Sequence, residues 1–266
     1  MNYAKPLFVV ASLTLAACSG TPGEVDEQTG TTQQAAIVAN AIVANAIVAN
    51  AIVANAIVAN AIVANALTSH TLTSSAIIAG ALDDPNAREL LEYTVSCALS
   101  PDQSVTFEVD GVTYTYAGEL GLAPGWGAPG GSCDGECQEW VSACLLARVD
   151  YLGQTHDISL RGVNSALAVS PTEQHEYTVR EATYFGNVFT KPQERYACLS
   201  PGQTEILRVC GPTLEGCVVD VDATCDKVCG GPTGDGAFTN CRPHDGDWDD
   251  PSYHGSITVF LRPGEP

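Results

Sequence analysis

His244-Asp245-Gly246-Asp247-Trp248-Asp249-Asp250 sets four carboxylates within six positions around a glycine. Hard oxygen ligands at alternating positions suit Ca²⁺, so Asp245, Asp247, Asp249 and Asp250 are candidate ligands for it. The run lacks the twelve-residue loop and distal Glu of an EF-hand, and a solvated acidic loop has the same composition. Asp220, Asp222 and Asp226 form a second, sparser group. Two Cys-x3-Cys words, Cys133–Cys137 and Cys225–Cys229, could hold a soft metal. In an exported chain such cysteines are expected as disulfides instead.

Other chemistry is thinly supported. The chain has no Gly-x-Ser-x-Gly elbow, no His-Glu-x-x-His and no P-loop. His156, His175, His244 and His254 are scattered. A hydrolytic site would have to rest on carboxylates, with Glu173, Glu181 or Asp247 acting beside His244. A nucleophilic cysteine needs a free thiol, and an even set of cysteines beyond the N-terminal segment leaves none obvious.

The elements that must position these residues lie in a strongly acidic segment. From Asp83 to Pro266 there are 28 Asp and Glu against 10 Lys and Arg. Such a balance repels phosphate backbones, so nucleic acid is excluded as a partner. Cations, a basic protein or a basic surface polymer are the partners it permits.

The N-terminus sets the compartment. Lys5 precedes an apolar run, Leu7 to Leu15, too short to span a bilayer. The run closes on Leu15-Ala16-Ala17-Cys18, which resembles the lipobox of bacterial lipoproteins. That resemblance implies cleavage before Cys18, acylation of Cys18 and stable membrane anchoring through several chains. Ser19, with no Asp in that place, implies by the same resemblance the outer membrane. Setting Cys18 aside leaves ten cysteines: Cys97, Cys133, Cys137, Cys144, Cys198, Cys210, Cys217, Cys225, Cys229 and Cys241. In an oxidising compartment they read as up to five disulfides, whose pairing sequence alone leaves open. Residues 19–35 read as a flexible linker.

Residues 36–85 are a pentad array. Ala-Ile-Val-Ala-Asn recurs six times from Ala36 to Asn65, and the period continues to Pro85 as the spelling drifts. On a helix a five-residue step advances about 140° net, which scatters Ile and Asn around the axis. In a flat strand an odd repeat sends alternate Ile to opposite faces. A coil whose turn is a whole number of pentads buries every Ile and stacks every Asn. This geometry is similar to that of pentapeptide-repeat proteins. The spelling departs from that family, because Asn40 sits two places before Ile42 with Ala41 between them. A long apolar helix and a loose tether are the alternatives.

Residues 86–266 are the cysteine-rich head. Asp84-Pro85 opens a helix that Ser100-Pro101 ends. Asp110-Gly111, between alternating apolar runs, predicts a type I′ hairpin with Val109 opposite Val112, Phe107 opposite Tyr114 and Val105 opposite Tyr116. A second helix is expected over 134–153. Its Cys137 and Cys144 lie two turns apart, too far to bond each other. Ser170-Pro171-Thr172-Glu173 is a capping box for a helix near 171–183. Strands are expected at Ile206–Cys210 and Ser256–Arg262. Cys97-Ala-Leu-Ser-Pro-Asp-Gln103 is echoed by Cys198-Leu-Ser-Pro-Gly-Gln203, and Cys133–Cys137 by Cys225–Cys229. The echoes predict two related halves, 86–162 and 184–266. The head resembles cysteine-rich lipoproteins of myxobacteria and their relatives that carry Asn-Ala-Leu-type pentads, a likeness that implies a location and no activity.

The expected fold is thus α+β: a small disulfide-rich head with β-hairpins and short helices, behind a coil- or solenoid-like pentad segment. The expected function is that of a lipid-anchored cell-surface lipoprotein with a binding or structural role, an exported hydrolase being the alternative.

Overall fold

Four residues of the pentad array, Ala46–Ala49, form a strand, β1, at one edge of a six-stranded sheet. The computed structural model describes residues 46–49, 72, 85–243 and 252–264, all within the unit Ile42–Pro266. Apart from residues 46–49, 72 and 85, the array for which a coil is expected lies outside the described residues, as do the signal segment, Cys18 and the linker.

The hairpin forms as predicted. Strands β2 (Ser104–Val109) and β3 (Val112–Ala117) pair with Val109 opposite Val112, Phe107 opposite Tyr114 and Val105 opposite Tyr116. Asp110 and Gly111 have φ of 50° and 79°, the two positive values a type I′ turn requires. Tyr114 stacks on Phe107 at 5.4 Å, and Tyr116 meets the same ring edge-on at 5.1 Å. The buried face gives out toward the turn, where Val112 is exposed.

Helix α1 (Pro85–Ala98) buries Ala87, Leu90 and Leu91 in its first part and every residue from Tyr93 to Ala98 in its second. It ends before Ser100-Pro101, as expected; the Asp84 cap lies outside the described residues. Helix α2 (Gly135–Ala147) starts on Asp134, whose side chain accepts from Cys137 N at 3.0 Å. Every residue from Trp140 to Ala147 is buried, because α2 packs between α1 and the strands of the large sheet. It stops at Ala147 and not at Gly153: Asp150 captures the amides of Leu152 and Gln154 and turns the chain out of the helix.

The large sheet runs β1-β4-β8-β5-β6-β7, from β4 (His156–Arg161), β5 (Val179–Asn187), β6 (Glu194–Leu199), β7 (Asp220–Thr224) and β8 (Ile257–Leu261). Only β6 and β7 pair in parallel. Tyr184 and Ala197 join the core under α2, while their neighbours Phe185 and Cys198 join a second cluster with Cys225, Phe238, Cys241 and Tyr253. Successive residues of a strand face opposite ways, so the sheet is covered on both sides.

Two expected elements differ in the structure. Ser170 does cap helix α3 (Pro171–Glu176), its hydroxyl accepting from Glu173 N at 3.1 Å. The helix ends at Glu176, however, and residues 179–183 belong to β5, the interior strand between β8 and β6. The expected strand at Ile206–Cys210 is helix α4 (Leu207–Cys210). After the exposed Leu207, Arg208, Val209 and Cys210 are buried in succession, so the alternation of a half-buried strand does not hold. Helix α5 (Cys225–Val228) follows β7, and two 3-10 turns, Pro124–Gly127 and Ser165–Leu167, lie in the connections.

The molecule is thus α+β, with two sheets, short helices and several disulfides. The echoed words share a turn, Gln103 N and Gln203 N each donating to the carbonyl of the Ser three residues before. They sit in unlike elements, since Cys97 is in α1 and Cys198 in β6.

Candidate functional site

All ten head cysteines are paired: Cys97–Cys144, Cys133–Cys137, Cys198–Cys225, Cys210–Cys217 and Cys229–Cys241. Cys144 ties α2 to α1, and Cys137 ties its first turn to the loop just ahead. The two Cys-x3-Cys words behave differently. Cys133 and Cys137 bond to each other, whereas Cys225 and Cys229 take separate partners. Five disulfides indicate an oxidising, extracytoplasmic setting. Among the described residues no helix is long and apolar enough to cross a membrane.

Among the described residues, Glu173 and Glu181 take partners other than histidine. His244, Asp245, Asp247, Asp249 and Asp250 lie outside the described residues. Asp220 and Asp222 are on β7 and Asp226 is in α5. Among the described residues the one grouping of three or more metal-ligating side chains is Cys198, Cys225 and Cys229. Glu173 is buried at the head of α3, where burial pushes its carboxyl up against the opposing pull of Ser159, Ser170 and Arg161. Glu181 is committed to Arg208 and Tyr184. His254 bonds Asn240 Oδ1 at 2.8 Å through Nδ1, on the surface.

A different group of residues makes a cleft. Asp150 lies just beyond α2, His156 begins β4 and Arg208 lies in α4; these converge around a cavity of about 230 Å³. Asp150 Oδ2 holds His156 Nε2 at 3.0 Å, while its Oδ1 accepts from Leu152 N at 2.9 Å and Gln154 N at 2.8 Å. The loop is pinned to α4 by Tyr151 N, which donates to Arg208 O at 2.7 Å. Gly211 closes α4 with φ of 72°, and a Cβ there would come within 2.8 Å of the Tyr151 ring. Tyr151, Leu152 and Leu207 form an apolar rim, Leu152 being 70 % exposed.

Beneath the cleft lies a fixed charge pair. Arg208 Nη2 donates to Glu181 Oε2 at 2.6 Å and to the Tyr184 hydroxyl at 3.3 Å, and Nη1 donates to Val149 O at 2.7 Å. Burial works against the guanidinium charge, but Glu181 and Tyr184 outweigh it and hold the Arg208 pKa above its ordinary value. Burial, with Glu181 second, pushes the Tyr184 hydroxyl far up, so it stays a neutral donor.

The cleft has an oriented imidazole and an apolar rim, and its described lining residues include no Ser, Thr or Cys. This arrangement can bind a ligand or activate a water through His156. Its volume falls below the usual range for drug-sized ligands, so it suits a small group or a single side chain. The sequence marks His156 only as one of several scattered histidines. The signal that could have flagged the site is the apolar pair Tyr151-Leu152 placed before a turn glycine.

Compared with protein-family models, curated proteins and solved structures, the chain matches none of them.

Proposed function

We propose that this chain is a lipid-anchored cell-surface lipoprotein, acylated at Cys18, whose acidic disulfide-stapled head serves as a binding module. The observation that supports binding most directly is the cleft, an apolar rim of Tyr151, Leu152 and Leu207 over a charge pair whose partners already satisfy each other. Such a floor offers no unpaired charge for chemistry and a rigid seat for a partner's side chain. The acidity of the head selects a basic protein or a basic surface polymer and rejects nucleic acid. The N-terminal lipobox and the ten paired cysteines together support export and anchoring.

Two measurements test this reading on the full chain. Intact-mass analysis of native material should show acyl adducts on Cys18 and no free thiols in the head. Immobilised protein should bind polylysine in a salt-dependent way and ignore duplex DNA; equal binding to both, or to neither, refutes the binding role.

An exported hydrolase is the second reading, favoured by the 3.0 Å contact between His156 and Asp150 at the cleft. It predicts turnover of some ester or glycoside that His156→Ala abolishes. Turnover that survives this substitution removes the cleft as its site.

A further inference from the structure

Two disulfides meet in the second core, and their juxtaposition goes beyond a structural staple. Cys198 Sγ, bonded to Cys225, lies 3.5 Å from Cys229 Sγ, which is bonded to Cys241. The sulfurs of Cys198, Cys225 and Cys229 all lie within 4.8 Å of one another. Cys241 adjoins these three through its bond to Cys229, whereas each of the other three disulfides joins two cysteines elsewhere in the head.

We propose that these four cysteines form a second kind of site when reduced, a tetrahedral thiolate centre for a soft divalent metal ion such as Zn²⁺. Zinc binds thiolate at about 2.3 Å, which puts tetrahedral sulfurs about 3.8 Å apart. The non-bonded separation of Cys198 and Cys229 is already close to that. The four residues come from separate places: Cys198 from β6, Cys225 and Cys229 from the two ends of α5, and Cys241 from a bridge to Tyr253. Cys225 is the first residue of α5 and Cys229 caps it, the Cys229 amide donating to Cys225 O at 3.0 Å. Phe185, Tyr196, Phe238 and Tyr253 wall the cluster. Such a wall keeps water from a bound ion and disfavours free thiolates, so a metal is what would stabilise the reduced sulfurs. Cys229 is partly exposed where the other three are buried, and this gives an ion its way in.

The two states exclude each other, and the conversion between them balances. Two equivalents of a dithiol, each oxidised to its own disulfide, supply four electrons and four protons, and the two S–S bonds become four S–H groups. The metal ion then displaces the thiol protons as it binds, up to four of them. Dioxygen reverses the sequence, taking four electrons and four protons to become two waters while both S–S bonds re-form and the ion is released. No sulfur can serve both states, so metal affinity reports the redox state of the cluster.

The test uses the full chain reduced by a phosphine under inert gas, with Co²⁺ as the probe. One equivalent should produce the thiolate-to-cobalt charge-transfer absorption and the visible bands of a tetrahedral site, and Zn²⁺ should bleach them. The signal should persist in Cys133→Ala/Cys137→Ala, which leaves the cluster intact, and be lost in Cys225→Ala/Cys229→Ala. Cys241→Ser keeps three of the thiols and should weaken binding and shift the spectrum, guarding against a double variant that merely fails to fold. The air-oxidised protein should give no bands. Absence of bands in the reduced chain, bands that survive loss of Cys225 and Cys229, or equal binding by the oxidised chain would each overturn the proposal.

Discussion

Arg208 and Glu181 meet at 2.6 Å beneath the cleft, with side-chain exposures of 0 % and 6 %. Neither charge has water to fall back on. Removing one partner strands the other in a low-dielectric interior, which costs about 3–5 kcal/mol. Glu181→Ala should therefore lower unfolding stability by about that amount. Glu181→Leu combined with Arg208→Met should recover much of the loss, because both charges leave together. A urea-denaturation double-mutant cycle reads this directly. If the double variant is as unstable as the sum of the singles, the pair is not coupled.

Glu173 carries a pH dependence of definite sign. It is 2 % exposed, and its Oε1 has no hydrogen-bond partner. Burial is the largest influence and raises its pKa above the ordinary value; Ser159, Ser170 and Arg161 pull it down by less. The native state therefore keeps its proton to higher pH than the unfolded chain does. Between the two pKa values the folded form binds more protons, so stability falls as pH rises through that window. The contribution is full below the unfolded value and gone above the folded one. Glu173→Gln retains a polar group of the same shape and should raise stability at pH 7 while flattening the acid limb. Melting temperatures from pH 3 to pH 8 check it, and a variant less stable than the parent at pH 7 counts against a Glu173 carboxyl raised by burial.

The hairpin is legible in the sequence because everything that defines it is local. Asp110-Gly111 sets the turn, and alternation on each side sets the register. Strand β5 is hidden for the opposite reason. All but its first two residues are buried, so both faces are covered and no alternation marks it. The capping box at Ser170 is equally legible, but a cap locates only the start of a helix. The cleft depends on Asp150, His156 and Arg208, which folding alone brings together from separate segments. Disulfide pairing is closed to inspection in the same way. Cys133–Cys137 and Cys225–Cys229 share a spacing, yet only the first closes on itself, since Cys198 and Cys241 stand beside the second.

The disulfides should differ in what they contribute. Cys97–Cys144 spans 47 residues and joins α1 to α2, whereas Cys133–Cys137 spans four. Restriction of the unfolded chain scales with the logarithm of loop length, giving about 4 kcal/mol for the first and about 2 kcal/mol for the second. Cys97 and Cys144 are also fully buried, so their alanine variants lose packed sulfur besides. Chemical denaturation of the two paired-alanine variants should show the larger loss at Cys97/Cys144. A reversed order would mean that native-state strain, not loop closure, governs these bonds.

Architecture and recognition can be separated at the cleft. Asp150 holds three donors at once, from Leu152 N, Gln154 N and His156 Nε2. Hydrogen bonds to a charged acceptor are worth about 1.5–3 kcal/mol each, and they are not additive, so Asp150→Ala should cost about 3 kcal/mol in total. Gly211→Ala should cost about 1–2 kcal/mol, because a left-handed φ and the Tyr151 ring both oppose a side chain there. Leu152 differs from both. At 70 % exposure it supports nothing beneath it, and Leu152→Asp should leave stability within about 0.5 kcal/mol of the parent. The same change puts a charge on the apolar rim, so a partner that seats an apolar group there should bind more weakly to a protein that melts unchanged. Parallel thermal melts and binding titrations of the three variants distinguish these outcomes. If Leu152→Asp lowers the melting temperature as far as Asp150→Ala does, the rim is part of the core and not a recognition surface.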